Sequence, residues 1–382
     1  MKKILVGFIF LFLGVISCNA LEEIAQNAKS AILLEMSTGK VLYEKNSHEQ
    51  LPPASMTKVM SMLLVMEAID EGVISLTDDV QISDTAASMG GSQVFLQAGE
   101  IYSVEELLKG VAIASGNDAV VALAEKVAGS VDSFVEKMNK KASGLGMKNT
   151  VYKNPHGLDE EGHITTAYDM SLVARELLKY EKILEYTKIY EYYMKKPDNS
   201  TTWLVNTNKL VRFYDGVDGL KTGFTEQAKY CLTATAKKNN MRLISVVMGV
   251  DSSDLRSSDT VKMLNYGFNG YKLNVLKKSG EILKEVEVKK GVKNKVGLML
   301  KEDATDLLKN DNVKKNYNFK LNIESLNAPL KKGDKVGVVK IIDNEGTLIK
   351  EADVTAVESI RKANFVDYFK SNFKELLIGK NI

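Results

Sequence analysis

An apolar run from Ser55 to Glu67, with the sequence SMTKVMSMLLVME, constrains the fold of this chain more than any other stretch. Pro52 and Pro53 end any regular element before it, and the run itself predicts a helix that is buried in a core. Residues three apart lie on one face of a helix, so the amine of Lys58 is expected within reach of the Ser55 hydroxyl. A deprotonated lysine in that place can activate a serine nucleophile. The pattern S-x-x-K alone, however, is also common on ordinary helices.

Length and composition indicate a globular protein of two or three domains. The chain has 382 residues, of which 45% are hydrophobic and 26% charged, which is enough for a large buried core. The net charge of +2 predicts no general attraction to nucleic acid, so no nucleic-acid partner is expected. The two cysteines are Cys18 and Cys231. If Cys18 is removed with a leader, Cys231 is unpaired, and neither a disulfide framework nor a cysteine metal site can form.

The N-terminus predicts export. Met1-Lys2-Lys3 is followed by uncharged, mostly apolar residues 4–16, a run too short to span a bilayer comfortably. We interpret residues 1–20 as a signal peptide cleaved after Cys18-Asn19-Ala20. A lipoprotein signal that ends at a lipid-modified Cys18 and an uncleaved anchor are the alternatives. All three place the protein outside the cytoplasm. Together with the amphipathic tail of residues 361–382, they predict a secreted protein attached to the outer face of the cytoplasmic membrane.

The order of elements predicts a mixed α/β domain over residues 21–272. Two short apolar runs at 31–36 and 41–44 flank Ser37-Thr38-Gly39-Lys40 and predict a β-hairpin. Helical patterns follow, including those at 133–147 and 167–192. Two β-rich runs at 230–236 and 242–250 precede a helix at roughly 254–268. Strands at both ends with helices between them indicate that the first and last segments share one sheet.

The pattern of apolar and polar residues changes near Leu273, where short alternating runs such as EVEVKKG and DKVGVVKI begin. They predict a small all-β C-terminal domain over residues 273–360. The tail, residues 361–382, places Phe365, Phe369, Phe373, Leu376 and Leu377 at helical spacing with lysines off that stripe. A basic amphipathic helix of this kind predicts anchoring in the plane of a membrane surface. A helix packed on the β domain is the alternative.

Two more short motifs follow the S-x-x-K pattern. Ser115-Gly116-Asn117 interrupts two apolar helical runs, and Lys221-Thr222-Gly223 precedes two β-rich runs. Each alone is most often a turn or a strand end. In this order, S-x-x-K, S-x-N and K-T-G form the motif set of penicillin-binding proteins and serine β-lactamases, with S-G-N in place of S-D-N.

The longer stretches around these motifs resemble one family. PPASMTK, ASGNDAVVALA, NPHGL and DGLKTGFT closely resemble the D-alanyl-D-alanine carboxypeptidases, which are low-molecular-mass penicillin-binding proteins. The resemblance covers most of residues 25–270. Lys229 is a departure, because the family commonly has glycine before the position of Tyr230. This difference affects the loop beside the third motif and removes no catalytic group.

The resemblance implies a β-lactamase/transpeptidase-like domain with an antiparallel sheet flanked by helices. It also implies removal of the terminal D-alanine from peptidoglycan stem pentapeptides through an acyl-enzyme, with covalent inhibition by β-lactam antibiotics. The expected catalytic residues are Ser55 as nucleophile, Lys58 as general base and Ser115 as proton relay. The expected substrate-binding residues are Asn117, Lys221, Thr222, Gly223 and Phe224.

The chemistry of these side chains fits the roles. Lys58 must be neutral near pH 7, and both burial and the charge of Lys221 would disfavour its charged form. Asn117 has a donor and an acceptor, suited to orienting Lys58 and the substrate. Lys221 and Thr222 would bind the terminal carboxylate, and Gly223 would let the strand approach the peptide closely. The backbone N–H groups of Ser55 and, by resemblance, Phe224 would form the oxyanion hole.

No metal or other cofactor is expected. His156 and His163 lie near three acidic residues, but the chain has no H-E-x-x-H motif and no third clear ligand. We interpret both as ordinary loop histidines.

Two other functions compete with the carboxypeptidase interpretation. A class A β-lactamase uses a glutamate with an asparagine four positions later to activate the deacylating water. Here Glu160 and Glu161 are followed at that spacing by Ile164 and Thr165, so rapid penicillin hydrolysis is not expected. A non-catalytic peptidoglycan-binding protein on the same fold is the second alternative. Intact Ser55, Lys58 and Lys221 argue against it.

Overall fold

The structure is a computed structural model that describes residues 24–310 and 315–370. The predicted signal peptide, residues 1–20, and the part of the predicted tail beyond residue 370 lie outside the described residues.

Apart from the helical residues 365–370, the helices of the described chain lie between its first and its tenth strand. Their bounds are α1 Lys58–Asp70, α2 Asp84–Ala87, α3 Val104–Lys109, α4 Asn117–Ala128, α5 Val131–Gly144, α6 Ala167–Leu177, α7 Ile183–Thr187, α8 Leu210–Phe213 and α9 Ser253–Gly270. A 3₁₀ turn at Ala54–Thr57 leads into α1, and a π-helical turn at Gly110–Ala114 follows α3.

The strands of the first part of the chain are β1 Ser30–Glu35, β2 Val41–Lys45, β3 Asp79–Gln81, β4 Ile101–Ser103, β5 Glu191–Lys195, β6 Thr201–Val205, β7 Val217–Thr225, β8 Lys229–Lys238 and β9 Met241–Val250. Five of them form an antiparallel sheet in the order β2-β1-β9-β8-β7. Strand β1 pairs with β9 along its whole length, from Ser30 opposite Met248 to Glu35 opposite Leu243. The prediction that the first and last segments share one sheet is therefore confirmed.

The inner strands of the central sheet are buried on both faces: β1 is buried at every position and β9 at nearly every position. Successive strand side chains point to opposite faces, and β1 follows this rule. Ile32 and Leu34 join the core formed with α1, α4 and α6, whereas Ala31 and Leu33 join a second core that includes Met263 and Leu264 of α9. The sheet thus lies between two helical layers, the mixed α/β arrangement that was predicted.

The helical prediction for residues 167–192 is wrong in its second half. Helix α6 ends at Leu177 and α7 is short, after which β5 and β6 form a separate antiparallel hairpin. The predicted range thus contains two helices, α6 and the short α7, and β5 begins at its end. Burial alternates along β5, so that Tyr192 and Met194 pack toward the core and the residues between and beside them are exposed.

The C-terminal part is all-β, as predicted. Its strands are β10 Tyr271–Lys277, β11 Ile282–Lys289, β12 Lys295–Leu300, β13 Ala304–Lys309, β14 Tyr317–Ile323, β15 Leu326–Asn327, β16 Lys335–Asp343 and β17 Leu348–Ala356. Six form one sheet in the order β14-β16-β17-β12-β11-β15, while β10 pairs with β13. The six-stranded sheet has a core of its own. Of the predicted tail, residues 365–370 are helical and described.

Candidate active site

Ser55 lies in the 3₁₀ turn before α1, and Lys58 is the first residue of that helix. The Lys58 Nζ atom is 3.0 Å from the Ser55 Oγ atom. Lys58 is fully buried, whereas Ser55 keeps partial exposure. Ala54 holds a positive φ of 46°, a conformation that is strained for a residue with a Cβ atom. The turn thus presents the serine hydroxyl at the edge of the core, with the amine directly beneath it.

Two further acceptors surround the Lys58 amine. It donates to the Asn117 Oδ1 atom at 2.7 Å and to the backbone carbonyl of His156 at 2.7 Å. Both partners can only accept hydrogen bonds. A neutral amine has two N–H bonds and one lone pair. These two carbonyl groups therefore take both N–H bonds and leave the lone pair for the hydrogen of the Ser55 hydroxyl.

The electrostatic surroundings favour that neutral amine. Burial is the largest cause that holds the pKa of Lys58 well below its ordinary value, and the charge of Lys221 acts in the same direction. The carboxylate of Asp118 opposes them. Desolvation disfavours a charged amine, so the surroundings of Lys58 shift it toward the neutral form that can accept a proton.

The S-x-N motif lies at a distorted break between two helices. A π-helical turn, Gly110–Ala114, ends at Ser115, which adopts a left-handed conformation with φ 66°. Such turns and such non-glycine residues are frequent at functional sites. The Ser115 Oγ atom is buried and has no hydrogen-bond partner within residues 24–310 and 315–370. This hydroxyl is therefore available to a bound substrate.

Asn117 and Asp118 hold the loop that precedes this break. The Asn117 amide donates to the Gly90 carbonyl at 2.7 Å, which fixes its oxygen toward Lys58. The buried Asp118 carboxylate accepts from the backbone N–H groups of Val94 and Leu96. The S-x-N segment is therefore fastened both to the Lys58 amine and to the loop beside it.

The K-T-G motif lies on β7, the edge strand of the central sheet next to the Ser55 turn. Gly223 is required there by the turn itself, because an added Cβ atom would be 2.8 Å from the Pro53 carbonyl oxygen. The structure thus shows a close approach of Gly223 to the serine turn. Phe224 is 47% exposed and lies against the Tyr230 ring.

Lys221 and Thr222 are both buried on this strand. The Thr222 hydroxyl is hydrogen-bonded to that of Thr207 at 2.7 Å, and the Lys221 amine contacts the Thr222 carbonyl at 3.2 Å. Burial, with a smaller effect from Arg256, lowers the pKa of Lys221 to about 7. A bound carboxylate would raise that pKa again, because an opposite charge stabilises the charged amine.

The structure therefore brings the three motifs together, and it adds groups that the sequence did not identify. These are the His156 carbonyl beside Lys58, the Thr207 hydroxyl beside Thr222, the Asp118 carboxylate and the buried guanidinium of Arg256. Asp118 follows Asn117 directly and could have been considered for that reason. His156 lies in the stretch NPHGL that carries the family resemblance, but a backbone carbonyl has no signature there. Thr207 and Arg256 belong to segments without a motif of their own.

Metal binding finds no support in the part of the chain that is described. Within residues 24–310 and 315–370, no group of three or more His, Cys, Asp or Glu side chains is arranged to hold a metal ion.

A serine hydroxyl over a buried lysine, beside an edge strand with Lys-Thr-Gly, is typical of serine acyl-transfer enzymes that recognise penicillin. Residues 18–252 match the family model described as D-alanyl-D-alanine carboxypeptidase. Residues 271–362 match the model for the C-terminal domain of penicillin-binding protein 5. The chain belongs to the D-alanyl-D-alanine carboxypeptidase family of serine peptidases.

Individual relatives agree with this assignment. The chain is 51% identical over 352 residues to D-alanyl-D-alanine carboxypeptidase DacF of Bacillus subtilis, which covers 91% of this chain and 90% of that protein. It is 35% identical over 386 residues to DacC of Escherichia coli, covering 96% and 93%. The crystal structure of penicillin binding protein 5 from Haemophilus influenzae matches with a TM-score of 0.70 and 33% identity, covering 88% of this chain and 98% of that one. The predicted family, fold class and peptidase activity are confirmed.

Proposed function

We propose that this enzyme removes the terminal D-alanine from peptidoglycan stem pentapeptides through an acyl-enzyme on Ser55, and that penicillins acylate the same hydroxyl. One observation carries the proposal. The Lys58 amine is 3.0 Å from Ser55 Oγ, and both of its N–H bonds are taken by carbonyl acceptors. Its lone pair is thereby directed at the serine hydrogen.

Acylation transfers the acyl group of the peptide from the leaving amine to the Ser55 oxygen. The Ser55 Oγ atom attacks the carbonyl carbon of the penultimate D-alanine while Lys58 Nζ accepts the hydroxyl proton. The carbonyl oxygen becomes an oxyanion that the backbone N–H groups of Ser55 and Phe224 stabilise. The C–N bond then breaks, and the leaving amine takes a proton that Ser115 relays from Lys58. In the second half, water attacks the ester carbonyl carbon while Lys58 takes one of its protons. The C–O bond to Ser55 then breaks, Lys58 returns the proton to the Ser55 oxygen, and the shortened peptide leaves with a new C-terminal carboxyl group.

The C-terminal carboxylate of the substrate would bind at the middle of β7, where Lys221 offers a positive charge and Thr222 a hydroxyl. Lys221 and Thr222 are adjacent there, and Lys221 recovers its charge when a carboxylate binds. Asn117 keeps Lys58 in place and faces the substrate backbone. A penicillin also has a carboxylate beside a reactive carbonyl, so the same groups account for inhibition.

The purified protein without residues 1–20 tests this function directly. A D-alanyl-D-alanine peptide should lose one alanine, and incubation with a penicillin should add the mass of one antibiotic molecule. Peptide mapping should place that mass on Ser55, and hydrolysis of the adduct should be slow. Absence of both the D-alanine and the adduct would contradict the proposal. Fast turnover of the penicillin would favour the β-lactamase alternative.

We propose further that the enzyme acts outside the cytoplasm, with residues 1–20 as signal peptide, 21–272 as the carboxypeptidase domain and 273–360 as the β-rich domain. Residues 361–382 would attach it to the membrane surface. The basic start and apolar run of residues 1–16 support export, and the aromatic stripe that begins at Phe365 supports attachment. No helix within residues 24–310 and 315–370 is long and apolar enough to cross a membrane.

Deletion of residues 365–382 should release the exported protein from membranes, because it removes the whole aromatic stripe. Fractionation of cells that express the full chain and the shortened chain measures this. A Cys18→Ser chain is the control for lipid attachment. If the shortened protein stays on membranes and the Cys18→Ser protein leaves them, the anchor is the N-terminal lipid and not the tail.

A further inference from the structure

The loop of residues 154–165 packs against the beginning of α1 and the 3₁₀ turn before it. Within the segment 154–165, the Pro155 carbonyl accepts a hydrogen bond from Ser61 Oγ at 2.6 Å, and the next carbonyl, of His156, accepts from Lys58. Gly157, with φ +87°, leaves no space toward the turn, since an added Cβ atom would be 2.8 Å from Thr57 Oγ1. The catalytic turn therefore rests on this loop over several successive contacts.

Among the described residues, His163 is the one member of this loop whose side chain is hydrogen-bonded to the 3₁₀ turn. Its Nε2 atom is 2.8 Å from Thr57 Oγ1, and the backbone N–H of Lys153 donates to its Nδ1 atom at 3.1 Å. Because Nδ1 accepts, the proton of a neutral imidazole is on Nε2, which donates to the Thr57 oxygen. His163 is 4% exposed, and burial lowers its pKa to about 4, so the ring is neutral at neutral pH.

We infer that His163 is a positioning residue for acylation: through Thr57 it holds the turn that sets the Ser55 hydroxyl against the Lys58 amine. Thr57 lies between the two reacting side chains in the sequence. A shift of the turn changes the distance between Ser55 Oγ and Lys58 Nζ directly. A misplacement of about 1 Å at such a pair can cost 10²-fold in rate. The inference rests on the proposed function, since it concerns the same acylation step.

Thr57 offers a matched pair of variants. Thr57→Ser keeps the hydroxyl, whereas Thr57→Val keeps the shape and removes the acceptor for His163. We expect Thr57→Val to lower kcat on a D-alanyl-D-alanine peptide, and the rate of penicillin acylation, by roughly tenfold or more. Thr57→Ser should stay within about threefold of wild type. KM should change little in either, because Lys221 and Thr222 are untouched.

A double-mutant cycle with His163→Leu separates positioning from general loss of stability. If the two side chains act through their mutual bond, His163→Leu should lower the acylation rate in the wild-type background and add little to Thr57→Val. Equal acylation rates of Thr57→Val and Thr57→Ser would overturn the inference, whatever happens to the unfolding temperature. Fully additive effects in the cycle would overturn it as well. Failure of wild type to acylate would instead contradict the proposed function.

Discussion

Replacing Ser55 by alanine should abolish both the release of D-alanine and the covalent labelling by penicillin. Loss of the nucleophile in a serine hydrolase lowers kcat by about 10⁶, which is below detection in either assay. The protein should still fold, since Ser55 is only partly buried and its hydroxyl contributes one hydrogen bond, to Lys58. Intact-mass spectrometry and D-alanine release measure the result, with thermal unfolding as the check on folding.

Ser37→Ala is a matched control for that experiment. Ser37-Thr38-Gly39-Lys40 also fits S-x-x-K, but the Ser37 hydroxyl is bonded to the Glu35 carboxylate and the Lys40 amine to the Asp306 carboxylate at 3.1 Å. Neither group is activated, so labelling should be unchanged. Persistent labelling in Ser55→Ala would show that another residue is the nucleophile.

These two S-x-x-K sites have the same sequence pattern but different surroundings, which the pattern does not determine. The pattern fixes the distance between serine and lysine only if the segment is helical. It does not determine whether the amine is buried or which groups surround it. The order of three motifs and the flanking stretches point to Ser55, while the sequence predicts a hairpin turn at Ser37-Thr38-Gly39-Lys40. The contacts that distinguish them, from Asn117 and the His156 carbonyl, come from distant segments.

Other parts of the site had no signal in the sequence for a related reason. A backbone carbonyl, such as that of His156, has no side-chain signature at all. Arg256 comes near Lys221 from α9, which packs on β8 and β9, so no local pattern around Lys221 could have indicated it. The error in the fold has a different origin, because the hairpin of β5 and β6 is a local pairing. It begins at Glu191 and takes the last two residues of the predicted range out of the helix.

Lys58→Met should lower acylation of Ser55 by about 10²–10⁴, the usual contribution of a general base. Methionine fills a similar volume in the buried site but cannot accept the serine proton. It also leaves the Asn117 Oδ1 atom and the His156 carbonyl without their donor. Stopped-flow acylation with a chromogenic β-lactam measures the rate constant, and thermal unfolding again reports whether the fold is retained.

Lys58→Arg decides between a base and a fixed positive charge. A guanidinium keeps the charge and donates to the same carbonyl groups, but it is not deprotonated in proteins. If Lys58 is the base, Lys58→Arg should therefore be about as slow as Lys58→Met. In wild type, acylation should fall as the pH drops through the lowered pKa of Lys58, since protonation occupies the lone pair. Both variants should lose that dependence. An arginine variant with near wild-type activity would show that the positive charge, and not proton acceptance, is what Ser55 requires.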